Sequence, residues 1–272
     1  MTARAARGRE PGQGAASAGA TPEAARGPTV IADDLHVVYK VHAPAVRRPG
    51  QSRRWLRDRR PRRTQSREIQ ALRGISFVAY EGDAVGVVGA NGAGKTTLLR
   101  AIAGLLPPAA DQLYTRSQAA LLGVNAALLD DLTGSRNITL GCLAMGMTPA
   151  EVRGIHDQVA EFSGAGTFIG LPMRAYSTGM AQRLRFAIAA ARDQDLLLVD
   201  EALATGDAEF RVRSAQRMAE LRAQAATVFL VSHSLEAIAD SCNRAIWLEA
   251  GKVRMAAGAA EVVAAYREDA AS

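Results

Sequence analysis

The chain has 272 residues, enough for one large domain or two small ones, and 48% of them are hydrophobic, which allows a sizeable buried core. No apolar run approaches the roughly eighteen residues of a membrane span, and the N-terminus lacks a hydrophobic signal core, so neither a spanning helix nor a secretory peptide is expected. The formal net charge of +6 is concentrated outside the folded body: between Arg47 and Arg67 ten arginines face the single Asp58, and the first 28 residues add a further basic excess. The remainder is acidic on balance, which argues against a basic nucleic-acid-binding face.

In chain order, residues 1–28 are Ala, Gly, Pro and Arg without periodicity and are expected to be a disordered tail. Residues 29–42 and 69–80 read as strands, interrupted by a Pro- and Arg-rich insertion at 43–68. Within DAVGVVGANGAGKTTLLRAIAGLLPP a short apolar strand leads through a glycine-rich loop into an amphipathic helix that Pro107 and Pro108 end. Another strand is expected at 118–124. From 134 to 191 the pattern is helical, with breaks at 147–149, 164–166 and 170–172. LLLVD (196–200), TVFLVS (227–232) and RAIWLEA (244–250) are apolar strands separated by helical stretches. This alternation implies a parallel sheet covered by helices on both faces. Cys142 and Cys242 have no metal-like spacing and read as reduced, buried thiols of a cytoplasmic protein.

Three motifs carry chemistry. GANGAGKT, Gly89 to Thr96, matches G-x-x-x-x-G-K-[ST] in full, with a strand before and a helix after. Its glycines let consecutive N–H groups turn inward around phosphate oxygens, and the helix N-terminus adds partial positive charge. Lys95 is placed for the β- and γ-phosphates, and the Thr96 hydroxyl for Mg²⁺. LLLVDE ends a buried strand in Asp200, which can help hold Mg²⁺, and Glu201, which can polarise an attacking water. YSTGM (176–180) opens a helix: it is either a plain helix cap, or a second small-residue loop in which the Ser177 hydroxyl and Gly179 N–H meet an anion.

In this order and spacing, GANGAGKT, YSTGM and LLLVDE resemble the ATP-binding-cassette ATPases over about residues 30–266. ALATGD after Glu201 is similar to the D-loop of that family, and VSHS places His233 where the family has its switch histidine; a bare polar cap is the other reading of His233. The resemblance implies an α/β P-loop NTPase cassette spanning 29–267. It would have a RecA-like core sheet, a small antiparallel β subdomain and an inserted helical subdomain at about 125–178. It further implies ATP and Mg²⁺ as ligands, with ATP bound by Gly89, Ala90, Asn91, Gly92, Ala93, Gly94, Lys95, Thr96 and Thr97. Two chains would pack head to tail, so that Ser177 and Gly179 meet the γ-phosphate held by the partner chain. Tyr39 fits the position that stacks on adenine, or else is simply core.

Two departures point to a branch. No glutamine follows the strand ending near residue 124, where Asn125 is the nearest polar substitute for a metal ligand, and Thr178 and Met180 replace the commoner Gly and Gln. These features, with DEALATGD and DLTGSRNI, are similar to exporters of O-antigen, teichoic acid and other surface polysaccharides; GCLAMGM also resembles exporters of cell-wall galactan. The branch implies a separate transmembrane permease as partner and a peripheral position on the cytoplasmic face of the plasma membrane. The 43–68 insertion is then either a solvated loop or a contact for an anionic membrane surface or a lipid-linked glycan. The alternatives are a soluble cassette ATPase acting on nucleic acid or ribosomes, and a degenerate regulatory cassette.

Overall fold

The computed structural model describes residues 26–43, 65–108, 112–122, 128–200, 207–232 and 234–270. Asn125, Glu201, His233, the tail 1–25 and most of the insertion, 44–64, lie outside these residues.

The chain enters through β1 (Pro28–Ala43), which pairs antiparallel with β2 (Gln65–Tyr80). Both strands run further toward the insertion than the sequence pattern indicates: cross-strand pairing continues to Ala43 and Gln65. β3 is Ala84–Val88, and the glycine-rich loop follows it into α1, Lys95–Ile102. β4 (Leu113–Thr115) adds to the free edge of β1 and completes a three-stranded sheet of order β2-β1-β4.

The main sheet has six strands, adding β5 (Ala119–Leu122), β6 (Leu196–Asp200), β7 (Thr227–Val231), β8 (Arg244–Glu249) and β9 (Lys252–Gly258). Their order is β5-β6-β7-β3-β8-β9, all parallel except β9, which turns back antiparallel on β8. Apart from Asp200 at the end of β6 and Thr227 at the start of β7, both strands are apolar throughout, because both faces of the sheet are covered. Alternate side chains enter opposite cores: Leu196 and Leu198 pack with α1 and the β1–β2 hairpin, while Leu197 and Val199 pack against Phe210 and Val262 from the other side. The hairpin is tied to the main sheet by a buried hydroxyl pair, Thr29 with Thr227 at 2.8 Å.

Between β5 and β6 lies a helical layer of α2 (Gly134–Ala144), α3 (Pro149–Ser163) and α4 (Thr178–Ala189) around their own core of Ile138, Cys142, Val152, Leu184 and Ile188. The local sequence sets the breaks. Thr148 and Glu151 form a capping box at the start of α3, Pro149 occupies its first turn, and Gly164 at φ 64° ends it. α5 (Ala208–Gln224), α6 (Leu235–Ser241) and α7 (Ala259–Ala270) complete the fold. Among the described residues no helix is long and apolar enough to cross a membrane.

Candidate nucleotide-binding site

The strand order creates the site. β7 lies between β3 and β6, so the carboxyl ends of three neighbouring parallel strands open on one edge, where ligands of open α/β sheets bind. The loop after β3 needs its glycines for two separate reasons. A Cβ on Gly89, at φ 145°, would stand 2.2 Å from the Leu248 carbonyl oxygen, so β8 leaves room only for hydrogen. Gly94, at φ 109°, holds a left-handed turn that a side chain would strain, and its Cβ would meet Leu72 Cδ2 at 2.9 Å.

Among the described residues no side chain caps α1, which leaves its first-turn amides for an external acceptor. Lys95 folds back over the loop, its Nζ donating to the carbonyls of Gly89 (2.7 Å) and Ala90 (3.1 Å). The Thr96 hydroxyl donates to Asp200 Oδ2 at the end of β6, 3.1 Å away. Two residues separated by 104 positions thereby converge as one oxygen-rich corner. Tyr39 reaches the same region from β1, its hydroxyl 3.4 Å from Thr97 Oγ1. Asn91, Gly92, Gly94, Lys95, Thr96 and Asp200 help line a shallow depression of about 220 Å³. Glycine backbone, an uncapped helix start, one ammonium and a hydroxyl–carboxylate corner form a donor set that fits a polyphosphate with a divalent cation.

Ser177 and Gly179 are placed differently. Ser177 is the N-cap of α4, its Oγ accepting from Met180 N at 3.2 Å, so within one chain the cap reading holds. Among the described residues, a Cβ on Gly179 would meet nothing within 4 Å. Neither residue lines the depression.

Three features escaped the motif reading. The β8–β9 turn backs the phosphate loop, with Gly251 N donating to Ala93 O at 3.0 Å; the local signal is the Ala-Gly pair that ends the apolar run of β8. Tyr176 is locked in place ahead of Ser177, donating to Phe168 O at 2.8 Å. Asp207, the last residue of ALATGD, is bound by Arg183 of α4, a partner that the motif does not name. Two larger depressions, of about 430 and 280 Å³, lie against the helical layer away from the glycine-rich loop; the first runs between α2 and α3 beside Leu143 and His156.

A strand, a glycine-rich loop, an uncapped helix and a carboxylate at the end of a strand two positions away define a phosphate-loop nucleotide-binding protein. Residues 72–204 match the ABC transporter family profile. The chain is 35% identical over 204 residues to the teichoic acids export ATP-binding protein TagH of Staphylococcus saprophyticus, covering 75% of this chain and 77% of that protein. It is 42% identical over 216 residues to the O-antigen export system ATP-binding protein RfbB of Myxococcus xanthus, covering 79% of this chain and 49% of RfbB. Against the TagH of Shouchella clausii the identity is 35%, with 76% of this chain and 57% of that protein covered. The chain belongs to the ABC transporter ATP-binding family. It spans only about half the length of several of these curated relatives. Among solved structures, the ATP-binding cassette MJ0796, a dimer bound to ADP and Pi, superposes with a TM-score of 0.61 at 19% identity, covering 85% of this chain and 98% of that one. An ATP-binding subunit of an ABC transporter gives 0.62 at 21% identity, with 88% and 93% covered; both likenesses establish the fold.

Proposed function

We propose that this chain is the ATP-hydrolysing subunit of an exporter that drives a lipid-linked cell-surface polysaccharide through a separate membrane permease. The observation that carries the reading is the Thr96–Asp200 contact beside Lys95 at the mouth of the glycine-rich loop. Similarity to the export ATP-binding proteins RfbB and TagH supports the transport assignment.

In this reading the loop amides of 89–94 and the α1 N-terminus bind the phosphates, and Lys95 leaves its loop carbonyls to pair with the β- and γ-phosphate oxygens. Tyr39 supplies a stacking surface for the adenine. Thr96 and Asp200 are the residues that would hold Mg²⁺, with Asn125 a further candidate, and the ion when bound neutralises charge on the phosphate oxygens. Glu201 takes a proton from water as its oxygen bonds the γ-phosphorus; the bond to the β–γ bridging oxygen breaks and ADP leaves. His233 contacts the γ-phosphate as the switch. Ser177 and Gly179 act on the nucleotide of a second copy of the chain, which the open space at Gly179 allows and the dimeric state of MJ0796 supports by analogy.

The peripheral site on the cytoplasmic membrane face follows from pairing with a permease. The ten arginines of the insertion suit an anionic lipid surface or lipid-linked glycan, at about 1 kcal/mol per charge near such a surface. The nucleic-acid alternative finds no support among the export relatives.

The test is ATP turnover by the chain and by Glu201→Gln, with size exclusion in Mg²⁺-ATP. Wild type should hydrolyse ATP, and the variant should bind it without turnover and accumulate as a dimer. A variant that hydrolyses like wild type would remove Glu201 from the mechanism.

A further inference from the structure

α4 carries Gly179 and Arg183 four residues apart, one above the other on a single helical face. Among the described residues the Gly179 end of that face is open, and the Arg183 end is engaged. Arg183 NH1 donates to Asp207 Oδ2 at 2.6 Å, while Asp207 Oδ1 accepts from Phe210 N at 2.8 Å and so caps α5. One carboxylate therefore joins two helices: α4, which begins at the YSTG segment, and α5, which follows the connection from Glu201. The surroundings fix both partners. Phe162 of α3, Phe186 of α4 and Phe210 of α5 pack against one another with ring centroids 5.8 to 6.0 Å apart. The Arg183 guanidinium lies over Phe210 and that of Arg213 over Phe162 and Phe210. Arg183 is mostly buried and Asp207 half exposed, their side chains 19% and 58% accessible. The Phe210 amide above all, with the Arg183 and Arg213 guanidiniums behind it, holds the Asp207 carboxyl below the usual carboxylate range.

We propose that Arg183 and Asp207 are a positioning pair, which fixes the Gly179 face of α4 against the start of α5 and so sets where Ser177 and Gly179 stand relative to the end of β6. The phenylalanine cluster already supplies the packing between these helices, and a half-exposed ion pair adds little to stability. Its effect belongs in orientation. Donors aimed at developing charge lose effectiveness with small displacements. This role rests on the two-chain ATP site proposed above.

Two variants isolate the pair. Asp207→Asn keeps the cap acceptor, since Asn caps as well as Asp, and removes the charge. Arg183→Met keeps an apolar stem on Phe210 and removes the cation. Each is made alone and together in the full chain, with and without Glu201→Gln. ATP affinity at the Lys95 loop should stay within about twofold, while kcat falls about tenfold, the effect of one charge-assisted hydrogen bond. The double variant should be no worse than the weaker single, and Arg183→Lys should recover part of kcat. In the Glu201→Gln background, each single should reduce the ATP-dependent dimer. Unchanged kcat in both singles, losses that multiply in the double, or a kcat that falls only in step with ATP affinity and Tm would overturn the pairing. If the Glu201→Gln parent never dimerises, the two-chain reading fails and takes the pair with it; if the parent dimerises and the variants match it, the pair alone fails.

Discussion

Gly134→Ala should disturb the site without touching it. Gly134 is the first residue of α2, buried, with helical rather than left-handed backbone, so on propensity alone alanine should gain about 0.5–1 kcal/mol. The space around it reverses that sign. A Cβ there would stand 2.1 Å from the Tyr176 hydroxyl oxygen, 3.0 Å from Ile169 Cδ1 and 3.1 Å from Tyr176 Cζ. The hydroxyl has to move, which breaks its hydrogen bond to Phe168 O and shifts a ring packed edge-on against Phe168. Overpacking costs about 1–3 kcal/mol and the lost hydrogen bond about 1, so the net destabilisation is about 2 kcal/mol and the fall in Tm about 4–8 °C. Because Tyr176 directly precedes Ser177, ATP turnover should fall by more than ATP affinity. Adding Tyr176→Phe deletes the 2.1 Å contact but leaves those at 3.0 and 3.1 Å, so it should restore part of both losses. Calorimetry and steady-state kinetics on the two singles and the double provide the test. A Gly134→Ala protein with wild-type Tm and turnover, or a double variant no better than the single, would refute the packing argument.

Three further outcomes are expected. Asp200→Asn removes the charge that faces Thr96, so the Mg²⁺ concentration for half-maximal turnover should rise at least tenfold, while nucleotide affinity without Mg²⁺ stays within about twofold. Gly89→Ala places a methyl 2.2 Å from the backbone oxygen of Leu248, which has no rotamer to yield; equilibrium binding of a fluorescent ATP analogue should be lost, and retained binding would mean the loop relaxes freely. Burial pushes the Cys242 thiol up from 9.0 to about 11, against a smaller opposing pull from Arg222, so labelling by a thiol reagent at pH 8 should be slow until the chain unfolds. With the folded value above the unfolded one, this thiol's contribution to stability is complete below the unfolded value and declines as pH rises from about 9 toward 11. Cys242→Ala should flatten the fall of the urea midpoint over that range.

The parts of the fold legible in the sequence were those whose cause is local. GANGAGKT is contiguous, and Leu196–Val199 of β6 is apolar at every position because both faces of the strand are covered. β9 was not legible: KVRMAAG is a sheet edge whose residues alternate between exposed and half-buried, so it has no apolar run to announce it. β4 is three residues long and exists because the edge of β1 is free to pair. The extension of β1 and β2 into the Arg-rich stretch is likewise decided by two strands together, and neither strand's composition reports it. The insertion of β7 between β3 and β6 is a matter of topology, and the Thr96–Asp200 contact depends on it. The Arg183–Asp207 and Gly134–Tyr176 contacts join segments of unrelated pattern, so only the packed chain displays them.

The same division underlies the two-chain site proposed above. The phosphate loop and Asp200 stand on strand ends of the main sheet, and the Ser177–Gly179 segment begins a helix of the layer inserted between β5 and β6. Within the chain Ser177 caps α4, and among the described residues none stands within 4 Å of where a Gly179 side chain would begin. The depression that the described residues form over Lys95 is shallow, at about 220 Å³. A triphosphate seated there would keep one side in water, where donors and charges act weakly on a developing anion. A second surface with amide donors and no side chain to obstruct approach is what such a site lacks, and in the two-chain site proposed above that surface is the Gly179 face of another copy. Closure then needs no change in the phosphate loop, only the approach of two preformed halves. Turnover should accordingly rise with the square of chain concentration below the dimer dissociation constant and linearly above it. A rate per chain that is constant across that range would show that one chain completes the site alone.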